Sequence, residues 1–121
     1  MFYDLTAVYS SVEIDIVDKN LVFTVQFDIK PECVHTFEKS LLNVLNKMSV
    51  EDTFVSCYLD KDSNDNERYL LYEIWKEPSV EEFLKNQSNK DYRMEFNSKI
   101  DDWIKKDKVV TMLEPVQAWH K

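Results

Sequence analysis

Seven consecutive residues, Tyr69-Leu70-Leu71-Tyr72-Glu73-Ile74-Trp75, constrain the architecture more than any other part of this chain. Tyr, Ile and Trp favour extended, pleated backbone. In a strand, Leu70, Tyr72 and Ile74 fall on one face, and Tyr69, Leu71 and Trp75 on the other. A strand that is apolar on both faces needs cover on both sides of its sheet. Pro78 stops it, and Ser79-Val80-Glu81-Glu82 has the capping-box spacing that opens a helix.

The rest of the chain supplies the partners of that strand. Leu21 to Lys30 alternates cleanly, with Leu21, Phe23, Val25, Phe27 and Ile29 on one face, which predicts a strand with one buried side. Pro31 suits the first turn of a helix. Val34, Phe37, Leu41, Val44 and Met48 then recur at helical spacing. A second strand is expected from Thr53 to Asp60, and the polar run 61–66 reads as the turn of a hairpin. After a short helix over about Val80 to Lys85, Asn86-Gln87-Ser88-Asn89 reads as a break. A further helix carries Tyr92, Phe96, Ile100 and Trp103 on one stripe, and Lys108 to Glu114 is the last strand.

The order β-α-β-β-α-β predicts an α+β fold, the ferredoxin-like split βαβ with a four-stranded antiparallel sheet. Helices cover one face of such a sheet. The cover expected for the other is a second copy, so a homodimer through the sheet face follows from the pattern alone. Tyr72 is expected in the core. Residues 1–20 read as an N-terminal arm or short extra strand around Val12-Glu13-Ile14-Asp15-Ile16, and 21–121 as a single domain.

One domain is also what 121 residues allow. The net charge of −8 argues against a nucleic-acid partner and an anionic membrane surface. No apolar run approaches the ~20 residues of a bilayer span. The start, Met1-Phe2-Tyr3-Asp4, lacks signal-peptide features, so a cytoplasmic location is expected. With Gly 0 there is no Walker loop, dinucleotide fingerprint or nucleophile elbow. Cys33 and Cys57 are expected to be free thiols, and no His, Cys, Asp or Glu cluster has metal-ligand spacing. Neither metal, haem nor flavin is expected.

The first strand running into Lys30-Pro31, the strand end Tyr72-Glu73-Ile74-Trp75 and the interrupted helical region with Phe83-Leu84 and Tyr92-Arg93-Met94-Glu95-Phe96 form an ordered set. With the closing Met112-Leu113-Glu114-Pro115, this set resembles the antibiotic biosynthesis monooxygenase (ABM) family, small dimeric α+β barrels. The resemblance implies a dimeric α+β barrel. Its enzymes oxidise phenolic or quinol-like aromatics with molecular oxygen, without metal or flavin. Many relatives carry histidines at positions matching Phe83 and Asp91, and this chain has neither. Haem-degrading relatives ligate iron through a histidine in the second helical region, and residues 80–106 contain none.

Trp75 matches the family's strand-end tryptophan, as a pocket wall or as a packed aromatic at the sheet–helix junction. Phe83 and Tyr92 join it as candidate substrate-binding residues. Asn86 and Arg93 are the candidate catalytic residues: Asn86 to hydrogen-bond a phenol or carbonyl, or to cap a helix, and Arg93 to stabilise a phenolate, or to form a surface ion pair. His35 reads as a solvated or packing residue, and penultimate His120 as part of a flexible tail or as a group reaching a partner subunit's site. The function that follows is a cofactor-independent monooxygenase acting on a small hydroxylated aromatic or quinol. The alternative is a non-catalytic small-ligand-binding or regulatory homodimer of the same fold, with an isomerase as a third option. A pocket holding a convergent polar group favours an enzyme. One filled by Trp75, Phe83 and Tyr92 favours the alternative.

Overall fold

The computed structural model describes residues 20–121. The arm expected over residues 1–20, including the Val12–Ile16 alternation, lies outside the described residues except for Asn20. Strand β1 (Leu21–Asp28) is followed by a single 3-10 turn at Pro31–Cys33 and helix α1 (Val34–Met48). The hairpin β2 (Phe54–Asp62) and β3 (Asp65–Trp75) comes next. Helices α2 (Val80–Gln87) and α3 (Asp91–Ile100) precede the last strand, β4 (Val109–Leu113).

All strand pairs are antiparallel, in the order β2-β3-β1-β4. The register sets Phe23 beside Glu73, and Glu73 beside Cys57, so these share the face on which the helices pack. Among the described residues, fourteen buried apolar side chains form the core, thirteen of them in one cluster that includes Phe27, Phe37, Tyr69 and Trp75. Phe37 joins the layers through ring contacts with Phe27 and Tyr69, both at 5.1 Å between centroids.

The opposite face carries Tyr58, Leu70, Tyr72, Val109 and Leu113, all exposed. Tyr72 therefore lies outside the core in which it was expected. Strand parity puts it on the side away from the helices, 38% exposed.

Two boundaries differ from the sequence reading. The hairpin strands run further into the polar segment, leaving Ser63 and Asn64 as the turn. Asp62 accepts from the Asn64 backbone N–H at 2.9 Å, and Asp65 from that of Glu67 at 3.0 Å, so side chains organise the corner. No described residue has a positive φ. A register shift between Lys61 and Asp62 accompanies a turn made without the left-handed residues that two-residue hairpins favour. Helix α2 opens as expected, with Ser79 Oγ accepting from Glu82 N at 3.2 Å, but continues through Asn86 to Gln87.

Buried Asp28 closes the end of β1. It accepts from Arg68 Nε at 2.9 Å and from Gln26 Nε2 at 3.1 Å, with Lys106 Nζ 3.6 Å away. Burial pushes its carboxyl up. The hydrogen bonds from Arg68 and Gln26 and the charges of Arg68 and Lys106 outweigh that and hold it below the ordinary aspartate value.

Candidate active site

Between the helix-facing side of the sheet and the three helices lies a cavity of about 290 Å³. Its sheet wall comes from Phe23, Val25 and Leu71, and α1 supplies Leu41, Val44 and Met48. On α2, Val80, Phe83, Leu84 and Gln87 follow the i, i+3, i+4, i+7 spacing of one helical face. On α3, Arg93, Phe96 and Asn97 do the same, while Lys108, Val110 and Met112 complete the wall from β4.

The floor holds one acid. Glu73 is 4% exposed, and its Oε1 accepts from the Trp75 indole Nε1 at 2.9 Å. Residues i and i+2 of a strand share a face, so Glu-x-Trp is the spacing that lets an indole N–H reach the carboxylate. Burial pushes the Glu73 carboxyl up, against the Trp75 hydrogen bond and the charges of Arg93 and Lys108. The balance leaves it above the ordinary glutamate value, where it holds and releases a proton nearer neutrality. Beside it, burial and the charge of Glu73 push the Cys57 thiol up to about 12, so Cys57 stays protonated. Cys33 and Cys57 are both free.

Arg93 is the opposing charge. Its Nε donates to Gln87 Oε1 at 2.9 Å, and its guanidinium lies 5.3 Å from the Phe83 ring centre and 5.7 Å from that of Trp75. Its Nη2 is buried without a hydrogen-bond partner. Gln87 is 2% exposed, and its Oε1 also lies 3.2 Å from the Tyr92 hydroxyl.

The five sequence-selected residues divide. Phe83 and Arg93 line the cavity. Trp75 lies outside the lining, fully buried and packed edge-on against Phe83 at 5.0 Å, where it holds Glu73. Tyr92 turns aside, its hydroxyl 3.1 Å from Glu51, which Lys90 pairs with at 3.1 Å. Asn86, one residue before Gln87, sits around the helix from the cavity. Its Nδ2 donates to both oxygens of buried Glu77, each at 3.3 Å, and Thr53 Oγ1 donates to the same carboxylate at 2.7 Å. Asp91 is exposed in the first turn of α3, and His35 and His120 are exposed. Among the described residues no group of three His, Cys, Asp or Glu is placed to hold a metal.

The family model for antibiotic biosynthesis monooxygenases matches residues 21–93, more than half of the chain. The chain belongs to this family. A solved antibiotic biosynthesis monooxygenase shares 20% identity, with a TM-score of 0.71, over 80% of this chain and 99% of its own. A Nitrosomonas europaea protein bearing the same family name superposes with a TM-score of 0.73 at 13% identity, over 82% of this chain and 92% of its own. One from Caulobacter crescentus covers 88% of this chain and 99% of its own at 16% identity and a TM-score of 0.72. No curated protein matches the sequence significantly. The likeness to the solved structures establishes the ferredoxin-like ABM fold. No described helix is long and apolar enough to cross a membrane.

Two residues of this ABM chain's cavity escape the sequence reading. Glu73 has the parity of Tyr69, Leu71 and Trp75, so a charged group on the helix-facing side was visible in the strand itself. Gln87 is one helical turn beyond Phe83, and ending α2 at Lys85 hides that relation.

Proposed function

We propose that this protein is a cofactor-independent monooxygenase that oxidises a small hydroxylated aromatic or quinol with molecular oxygen. The observation that carries this reading is a single buried carboxyl, Glu73, in a largely apolar cavity whose lining also holds the guanidinium of Arg93. Glu73 accepts the phenolic proton, and a carboxylate with a raised pKa is the stronger base for it. The positive charge of Arg93 lowers the pKa of a phenol in the cavity and favours the phenolate. The electron-rich phenolate then transfers an electron to oxygen, and the two radicals combine into a C–O bond. Loss of the ring proton and cleavage of the O–O bond release water, so that a phenol and O₂ become a quinone and H₂O. The apolar walls exclude solvent from the intermediates.

Of the two residues named from sequence for the polar role, Arg93 fits it and Asn86 does not. Asn86 is spent on Glu77, outside the lining. Phe83 serves as a wall. Trp75 acts through Glu73, as its hydrogen-bond donor. The homodimer belongs to the same proposal, formed through the face that carries Tyr58, Leu70, Tyr72 and Leu113. Two free thiols suit a reducing, cytoplasmic setting.

The test is oxygen uptake with a panel of quinols and polyhydroxylated aromatics. Uptake above the buffer rate is expected from the wild type. A fall of about 10²–10⁴-fold is expected in Glu73→Gln, the usual contribution of a positioned base. Uptake no faster than in buffer, with no thermal shift from any compound, would leave the non-catalytic binding dimer as the better reading.

A further inference from the structure

Of the buried side-chain polar atoms described on the cavity wall, Arg93 Nη2 is the one without a partner. A buried donor of a charged group left without an acceptor is costly, and native proteins keep few of them. The guanidinium is not free to turn away: Gln87 holds Nε at 2.9 Å, and the Phe83 and Trp75 rings pack against it. What remains is Nη2, buried and unpartnered, on a side chain that lines the cavity.

The charges of the lining point the same way. Its ionisable side chains are Glu73, Arg93 and Lys108, two cations against one carboxyl. In a chain of net charge −8, this is a local positive excess inside an acidic molecule. A volume of about 290 Å³ sits at the floor of the roughly 300–1,000 Å³ of small-molecule sites, so the ligand is compact, of one or two rings.

We propose that the cavity takes a compact aromatic bearing an anionic substituent, a carboxylate, which pairs with the guanidinium of Arg93. This rests on the reading of the cavity as the reaction site and adds a specificity rule to it: the carboxylate fixes the ring, and a hydroxyl elsewhere on the ring meets Glu73. Arg suits that role better than Lys, because its planar fork matches a carboxylate and is always charged. Lys108, exposed at the β4 side, adds charge without a fixed geometry. Gln87 is a positioning residue for the guanidinium.

The experiment measures binding without oxygen, so that it does not depend on turnover. Titration calorimetry under nitrogen compares 2-naphthoate with its neutral isostere 2-naphthamide, on wild type, Arg93→Gln, Arg93→Lys and Lys108→Gln. The wild type is expected to bind the carboxylate at least about ten-fold more tightly. That preference should vanish in Arg93→Gln, survive in part in Arg93→Lys, and shrink only modestly in Lys108→Gln. Circular dichroism identifies any variant that fails to fold, and Arg93→Lys keeps the test open if Arg93→Gln does. Equal affinity for the two compounds, a preference that survives Arg93→Gln, or binding of neither would overturn the proposal. A carboxylate preference lost in Arg93→Gln, together with no oxygen uptake from any phenol, would keep this inference and remove the monooxygenase.

Discussion

Replacing Trp75 by Phe isolates one hydrogen bond at the centre of the proposed chemistry. The substitution keeps an aromatic face beneath Arg93 and removes the indole N–H that reaches Glu73 at 2.9 Å. A hydrogen bond to a charged group is worth about 1.5–3 kcal/mol. One pKa unit corresponds to about 1.4 kcal/mol, so the loss raises the Glu73 pKa by a further one to two units or so. The direction follows from which form is favoured: the N–H stabilises the carboxylate, and without it the protonated acid persists to higher pH. The acidic limb of kcat/KM, measured by oxygen uptake across the pH range, should therefore move up by about one to two pH units. Stability should fall by less than the ~3–5 kcal/mol of truncation to Ala, since Phe leaves only part of the site empty. Infrared titration of the carboxyl band gives the same shift without turnover. A limb and a carboxyl titration that both stay in place, in a variant that melts cooperatively, would refute the reasoning.

Other perturbations test the surrounding structure. Glu73→Gln should remove a pH dependence of stability. Between the ordinary glutamate pKa and its own raised value Glu73 binds more protons folded than unfolded, so wild-type stability falls as pH rises through that window, and urea unfolding should show the slope missing in the variant. Asp28→Asn should cost about 1.5–2 kcal/mol at neutral pH, the lower part of the range for charged hydrogen bonds, because Arg68 is 36% exposed and rehydrates. With a lowered folded pKa, Asp28 contributes above its unfolded value and loses that contribution as pH falls through the folded one, so the gap between wild type and variant should close in acid. Asn86→Ala should lower the melting temperature while leaving KM unchanged, because its partner is Glu77; a raised KM would return Asn86 to the site. Leu70→Asp combined with Tyr72→Asp should convert a sedimenting dimer into a folded monomer, and an unchanged sedimentation coefficient would place the interface elsewhere.

The elements were legible because each carries its own period: Leu21 to Ile29 alternates, and Val34 to Met48 repeats every three or four residues. Their ends were less so. The run 61–66 is polar enough to read as turn throughout, yet backbone pairing carries both strands into it, and Asp62 and Asp65 serve the corner with their side chains. Similarly, Asn86-Gln87 looks like a helix break by composition, but Gln87 is buried and bonded to Arg93, which rewards another turn. Arg93 and Phe83 could be placed near a pocket from sequence. That Tyr92 would pair with Glu51, 41 residues away, depends on a tertiary contact that no local spacing announces.

The corner at Ser63 and Asn64 has a consequence for the unfolded chain. Average composition would give roughly eight glycines in a protein of 121 residues, and this one has none. Each replacement of Gly by Ala at a compatible site stabilises by about 0.4–1 kcal/mol, because the denatured chain has fewer conformations to surrender. Since no described residue needs a positive φ, the fold gains from that stiffness at no described corner's expense. Part of what holds this protein folded thus resides in how little its unfolded chain can wander.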